Sequence, residues 1–174
     1  MTRVLVTGGA GFLGWHTVRA LLTSDPAREV VNLDLLTYAG SRLAVQDLDG
    51  LFPDRHRFVH GDVTDPDTVV AALDGVDAVI HMAAETHVDR GIDAPRLFVR
   101  TNVMGTQTVL DAARTRGVDR FLQVSTDEVY GHLPLYSPGG ALPKFTEDSP
   151  IAPRSPYAAS KAAADHLVMA AYHT

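Results

Sequence analysis

The stretch that decides the fold is Arg3-Val4-Leu5-Val6-Thr7-Gly8-Gly9-Ala10-Gly11-Phe12-Leu13-Gly14. A short β-branched run passes into closely spaced glycines and then into an apolar segment of helical character, the order strand, tight turn, helix. Each glycine of the triad has its own reason to be there. Among Gly8, Gly11 and Gly14, one makes the turn, one lets backbone amides come close to a bound group, and one lets helix pack on strand. The helix N-terminus behind them offers unpaired amides and the positive end of a dipole, which together favour phosphate. The spacing is G-x-x-G-x-x-G rather than the commoner G-x-G-x-x-G, and a glycine triad by itself also fits a plain turn.

Outward from this turn, short apolar runs alternate with longer Ala/Leu-rich segments. Arg3–Thr7, Glu29–Asp34, Arg57–His60, Ala78–Met82 and Arg120–Ser125 read as strands. Leu13–Thr23, a segment from about Arg96 to Arg116 closed by Gly117, and Pro156–Tyr172 read as helices. Continuous apolar strands separated by helices predict an α/β fold: a doubly wound parallel sheet of Rossmann type, covered on both faces. Residues 131–153 carry Pro134, Pro138, Pro143, Pro150 and Pro153 with Gly139-Gly140, the composition of a long loop. The last helix runs to Thr174, where a doubly wound sheet would carry a further strand. The expectation is one domain over residues 1–174 that stops before the last strands and a C-terminal substrate lobe.

Composition narrows the class of partner. The 174 residues are 45% hydrophobic and 21% charged, ordinary for a globular chain. A net charge of -6 with dispersed Lys and Arg argues against nucleic acid. The chain has no Cys, which removes disulfides and thiolate metal sites and fits a reducing cytoplasm. No stretch approaches the roughly 20 apolar residues of a membrane span, and the N-terminal apolar run is too short for a signal-peptide core. A soluble cytoplasmic protein is expected.

Asp34 closes the second strand 20 residues after Gly14. An acid there accepts hydrogen bonds from the adenosine ribose and repels a 2′-phosphate, so NAD is expected rather than NADP. The plain alternative is a turn cap before Thr37. Asp62, after the third strand, can accept from the adenine amino group or serve as a solvated turn acid. Tyr157 and Lys161 stand four residues apart, on one helix face. Beside a nicotinamide, a Lys ammonium near the phenol would lower the Tyr pKa and let Tyr157 take a proton from a substrate alcohol. The fifth strand ends in Ser125-Thr126-Asp127-Glu128-Val129-Tyr130-Gly131, where open α/β sheets bind ligands. Thr126 can hydrogen-bond the reacting hydroxyl. Two adjacent carboxylates exceed the needs of an oxidoreductase and suggest a second proton transfer, one acid protonating a leaving group and the other abstracting a proton.

The glycine run, Thr126 and the Tyr157/Lys161 pair resemble the extended short-chain dehydrogenase/reductases that act on nucleotide sugars. Residues 34–40 (DLLTYAG), 83–90 (AAETHVDR), 101–106 (TNVMGT), 125–131 (STDEVYG) and 155–161 (SPYAASK) are similar, more specifically, to the dTDP-glucose 4,6-dehydratase family. Asp127-Glu128 is the most discriminating pair: related epimerases lack it, and related GDP-mannose dehydratases and UDP-glucuronate decarboxylases share Glu-Val-Tyr-Gly without the preceding Asp. The resemblance implies loss of water from the bound hexose of dTDP-glucose, with NAD as a transient hydride carrier. Tyr157 would act at the C4 hydroxyl, Glu128 at the C5 proton, and Asp127 at the departing C6 hydroxyl. It further implies that Phe12 and Leu13 line the pyrophosphate turn, that Thr37, Val63, Ala83, Ala84 and Thr101 lie along the dinucleotide, and that Thr86 and Thr126 approach the substrate. A homodimer through the helices near 96–116 and 156–172 is implied as well.

Departures from the family pattern are Trp15 after the glycine turn, Thr86 and Gly91 in place of serines, and the proline-rich 131–144 stretch. Family chains run about twice as long. Asp89-Arg90 is expected as a local ion pair, and Trp15 and Met169 as core or interface residues. His60, His81 and His87 lack zinc-site spacing, so no metal is expected. Two alternatives stand beside the dehydratase: another nucleotide-sugar dehydratase or epimerase, and a truncated NAD-binding module without turnover.

Overall fold

In the computed structural model, residues 2–133 and 143–174 are described. The strands are β1 (Arg3–Thr7), β2 (Glu29–Asp34), β3 (His56–His60), β4 (Ala78–His81) and β5 (Arg120–Gln123). The helices are α1 (Phe12–Ser24), α2 (Arg42–Leu51), α3 (Pro66–Ala72), α4 (Val88–Asp93), α5 (Pro95–Phe98), α6 (Gly105–Arg116) and α7 (Pro156–His173). All strand pairs are parallel, in the order β3-β2-β1-β4-β5. The expected doubly wound parallel sheet is present, and its chain order reverses between β1 and β4, the place where such sheets open a binding crevice.

The pleat sorts each strand between two cores. Val4, Val6 and Val30 face Val18 and Leu22 of α1 and Leu48 of α2. Leu5, Val31, Leu33 and Val79 face Val69, Ala72 and Leu73 of α3 and Val109, Ala112 and Ala113 of α6. Burial on both faces is why the central strands β1, β2 and β4 are largely apolar in sequence, while the edge strands β3 and β5 carry exposed polar residues. Helix starts follow local capping chemistry. Asp65 accepts from the Asp67 amide ahead of Pro66, Ser41 from Ala44, and Ser155 from Ala158 ahead of Pro156. Gly117 ends α6 in the left-handed region, as its position in the sequence predicts.

Several expectations need correction. Arg96–Arg116 is not one regular helix: α5 passes into a π-helical segment, Val99–Met104, before α6 begins. Asn102 lies within this segment and is bonded on several sides. Its side chain accepts from the Glu85 amide and donates to the Glu85 carbonyl and to Ser160, while its carbonyl accepts from the Thr106 hydroxyl. The Thr106 hydroxyl, by taking a carbonyl of the helix's own ladder, is the kind of back-bond that bends a helix. The sequence reading also leaves α2, α3 and α4 unassigned, and β4 and β5 end one and two residues early. Asp89 and Arg90 form no ion pair among the described residues; the Arg90 guanidinium instead lies 3.8 Å above the Tyr38 ring centroid. Met169 is exposed rather than core. Trp15 is accommodated between α1 and α2, its indole donating to Asp47 at 3.2 Å. Of the proline-rich loop, Pro134, Pro138, Gly139 and Gly140 lie outside the described residues. The ends of that loop are adjacent, the Ala152 amide donating to the Val129 carbonyl at 2.9 Å.

Candidate active site

The loops after all five strands, with the start of α7, enclose a cleft of about 430 Å³ at the C-terminal edge of the sheet. Two glycines shape its floor. Gly8 has φ +73, and a Cβ there would meet the Ala83 amide at 2.8 Å. A Cβ on Gly14 would lie 2.0 Å from the Gly8 carbonyl oxygen, so α1 can pack on the turn only without one. Gly11 differs: its Cβ would meet nothing nearer than 3.4 Å, leaving room on the side where a ligand approaches. No side chain caps α1 and no acid stands in its first turn, so its terminal amides remain available to an anion. These features fit a bound pyrophosphate.

The structure brings most of the residues singled out in the sequence to this one cleft. Gly8, Gly11, Phe12, Leu13 and Gly14 line it from the turn; Asp34, Thr37, Asp62 and Val63 from the β2 and β3 ends; Ala83, Ala84, Thr86 and Thr101 from the β4 side; and Tyr157 and Lys161 from α7. Asp34 also performs the plain role, its oxygens accepting from the amides of Ala10 (3.0 Å) and Leu36 (2.7 Å). The second bond holds Leu36 at φ +53, a left-handed conformation unusual for a branched residue. Thr126, Asp127 and Glu128 stand beside the cleft rather than in its wall. Thr126 caps a short 3-10 turn, Asp127–Tyr130, and both acids are exposed.

Burial raises the Tyr157 phenol above its ordinary value. Interaction with the Thr126 hydroxyl pulls it down, and the Glu128, Asp127 and Asp165 carboxylates push it up again. This overturns the expectation that Lys161 lowers it. The Lys161 ammonium is itself buried and donates to the Val124 carbonyl at 2.5 Å. Burial lowers its pKa, and the Asp165 carboxylate opposes that shift. Ser125 hydrogen-bonds the same Asp165, tying the end of β5 to α7.

A family model described as GDP-mannose 4,6 dehydratase matches residues 5–174. The chain belongs to the GDP-mannose 4,6 dehydratase family. It is 54% identical over 167 residues to the low-salt glycan biosynthesis protein Agl12 of Haloferax volcanii, covering 95% of this chain and 50% of the relative. It is 48% identical over 176 residues to the dTDP-glucose 4,6-dehydratase of Streptomyces niveus, covering 99% and 50%. Among solved structures, the dTDP-glucose 4,6-dehydratase DesIV of Streptomyces venezuelae, with NAD and TYD bound, superposes with a TM-score of 0.90 at 50% identity. That match covers 99% of this chain and 52% of DesIV. The chain thus spans about half the length of the family members it matches.

Sequence reasoning missed part of the wall. Leu35, Ala39, Gly40, Glu85, His87, Leu97 and Arg100 also line the cleft. Glu85 is 5% exposed, and one of its carboxylate oxygens has no partner among the described residues. An unpaired buried oxygen beside a cleft is the kind of acceptor that a polar ligand completes. Its signal in the sequence is an acid after the Met82-Ala83-Ala84 run that follows β4. Asn102, which fixes the Glu85 backbone, stands in the sequence within the family-like stretch 101–106 but without a role assigned to it. No cluster of His, Asp or Glu among the described residues is arranged to hold a metal ion. No helix among them is long and apolar enough to cross a membrane.

Proposed function

We propose that residues 1–174 form the NAD-binding domain of a dTDP-glucose 4,6-dehydratase. The observation that carries this reading is the convergence on one cleft of the glycine turn, Asp34 and the Tyr157/Lys161 pair, with Asp127 and Glu128 on the adjoining turn. Bound NAD would supply the hydride acceptor, storing the hydride from C4 of the hexose and returning it at C6. Tyr157 takes the C4 hydroxyl proton, with Thr126 hydrogen-bonding that hydroxyl. Glu128 removes the C5 proton, acidified by the C4 ketone, and Asp127 protonates the C6 oxygen that leaves as water. Their exposure in this chain leaves both acids open to an incoming sugar. Gly8, Gly11, Phe12, Leu13 and Gly14 hold the pyrophosphate. Asp34 and Thr37 lie at the ribose, and Asp62 and Val63 at the adenine. Ala83, Ala84, Thr101 and Lys161 run along the nicotinamide half, and Thr86 approaches the substrate.

The test is conversion of dTDP-glucose to a 4-keto product in the presence of NAD. Asp127→Asn with Glu128→Gln should lower turnover at least about 100-fold, the scale of a lost general acid and base. Because Tyr157 is held as a phenol at neutral pH, its service as base predicts a rate that climbs toward alkaline pH. An active double variant would remove the acid/base assignment. An epimerised sugar as product would replace the dehydratase by its nearest alternative.

The helices support a homodimer reading. Val99 and Met104 of the π-helical segment and Met169 and Tyr172 of α7 are exposed apolar side chains of the kind that helix pairing covers. A monomeric mass by light scattering would remove it. Cytoplasmic residence rests on the absence of cysteine, and recovery of the protein from secreted material would contradict it.

A further inference from the structure

The proposed reading leaves one charged group at the adenine end of the cleft unused. Arg100 lies in the cleft wall, on the π-helical segment. Its Nη2 donates to Asp62 Oδ2 at 2.8 Å and to Thr64 Oγ1 at 3.1 Å. Asp62 Oδ1 accepts in turn from the Thr64 amide at 2.9 Å. Both Asp62 oxygens are therefore held in place, one by backbone and one by a guanidinium. Nη1 and Nε of Arg100 have no protein acceptor among the described residues. The position of this pair follows from the sheet order. The pyrophosphate turn follows β1 and the ribose acid Asp34 ends β2, so the loop after β3 is next in line and meets the base.

We propose that Arg100 is a specificity-determining residue that, paired with Asp62, selects adenine at this subsite. Adenine presents an amino donor beside a ring-nitrogen acceptor. A fixed carboxylate beside a guanidinium with free N–H groups offers the complementary acceptor and donor. Hypoxanthine carries a carbonyl oxygen where adenine carries the amino group, and so sets acceptor against carboxylate. Without Arg100, Asp62 loses one of the partners that orient it and the subsite loses its charged donor. A Lys at the same position supplies the charge but not the planar fork. The π-helical segment brings this about in the fold: Arg100 and Thr101 reach the cleft while Asn102, next in sequence, is buried against Glu85 and Ser160.

The inference rests on the NAD reading, and calorimetric titration of the 174-residue chain with NAD and with nicotinamide hypoxanthine dinucleotide separates the two. The native chain should bind NAD about tenfold or more tightly than the hypoxanthine analogue, the scale of one mismatched charge-assisted hydrogen bond. Arg100→Ala should weaken NAD about tenfold and leave the analogue nearly unchanged, so that the ratio collapses. Arg100→Lys should recover part of the NAD affinity with a smaller ratio than the native chain. Asp62→Asn should also collapse the ratio. The Arg100 side chain is 59% exposed, so thermal unfolding of its variants should match the native chain. Equal loss for both dinucleotides in Arg100→Ala, or an unchanged ratio, would overturn the selection role and make Arg100 a structural tie between β3 and the helix. Binding of NAD with no preference over the analogue would overturn it as well. Absence of binding to either dinucleotide would remove the NAD reading and this inference with it.

Discussion

His81 shows how a single buried side chain can fix the geometry of the cleft. Its Nδ1 lies 2.7 Å from the Thr7 hydroxyl and its Nε2 3.1 Å from the Thr106 hydroxyl. The Thr7 oxygen accepts from the amides of Met82 and Ala83, so its proton goes to Nδ1, and Nε2–H donates to Thr106. One neutral tautomer thus joins the glycine turn, the loop after β4 and α6. Complete burial depresses the pKa to about 3, with the Lys161 charge adding to the shift. The unfolded chain takes up this proton near pH 6.5 and the folded chain only near 3, so the unfolded state binds more protons in that window. Stability must fall as the pH falls through it, by about 1.4 kcal/mol per unit at the steepest. Between about pH 7 and pH 5 the native chain should lose about 2 kcal/mol more, by urea unfolding, than His81→Asn. Parallel pH profiles for the two would mean that His81 is charged in the folded chain.

At the scale of elements, what was legible depended on whether the signal was local. The central strands β1, β2 and β4 stand out through the apolar runs that burial on both faces demands, and the edge strands β3 and β5 through shorter apolar pairs, Phe58-Val59 and Phe121-Leu122. Gly117 marked the end of α6 through its own backbone. The helices α2 and α3 were missed although each has a local cap, Ser41 and Asp65, because each buries only a short apolar stripe: Val45 with Leu48, and Val69 with Ala72. The π-helical segment has no local signature, and the bonds of its Asn102 run to Glu85 and Ser160, residues 17 and 58 positions away. The raised pKa of Tyr157 is illegible for the same reason, depending first on burial and then on carboxylates of the turn after β5 and of α7. Asn102 is 1% exposed, and Asn102→Ala would strand the Glu85 amide and carbonyl. That variant should cost about 3 kcal/mol in denaturant unfolding, against under about 1 kcal/mol for an exposed residue such as Gln107. A cost as small as the exposed control would show that the segment is held by other contacts.

For the whole molecule, the parallel sheet and its switch point gather residues from along most of the chain into one cleft, and the chemistry is divided across it. Under the proposed function, phosphate recognition would fall to the turn after β1, ribose and base to β2 and β3, and proton transfer to β5 and α7. The central claim is that this cleft holds NAD, and it is tested most directly by calorimetric titration of the chain with NAD and NADP. The account predicts one NAD per chain, and binding at least about tenfold weaker for NADP, whose 2′-phosphate would face the Asp34 carboxylate. Asp34→Ala should narrow that difference. Equal affinity for the two dinucleotides in the native chain, or no binding of either, would contradict it.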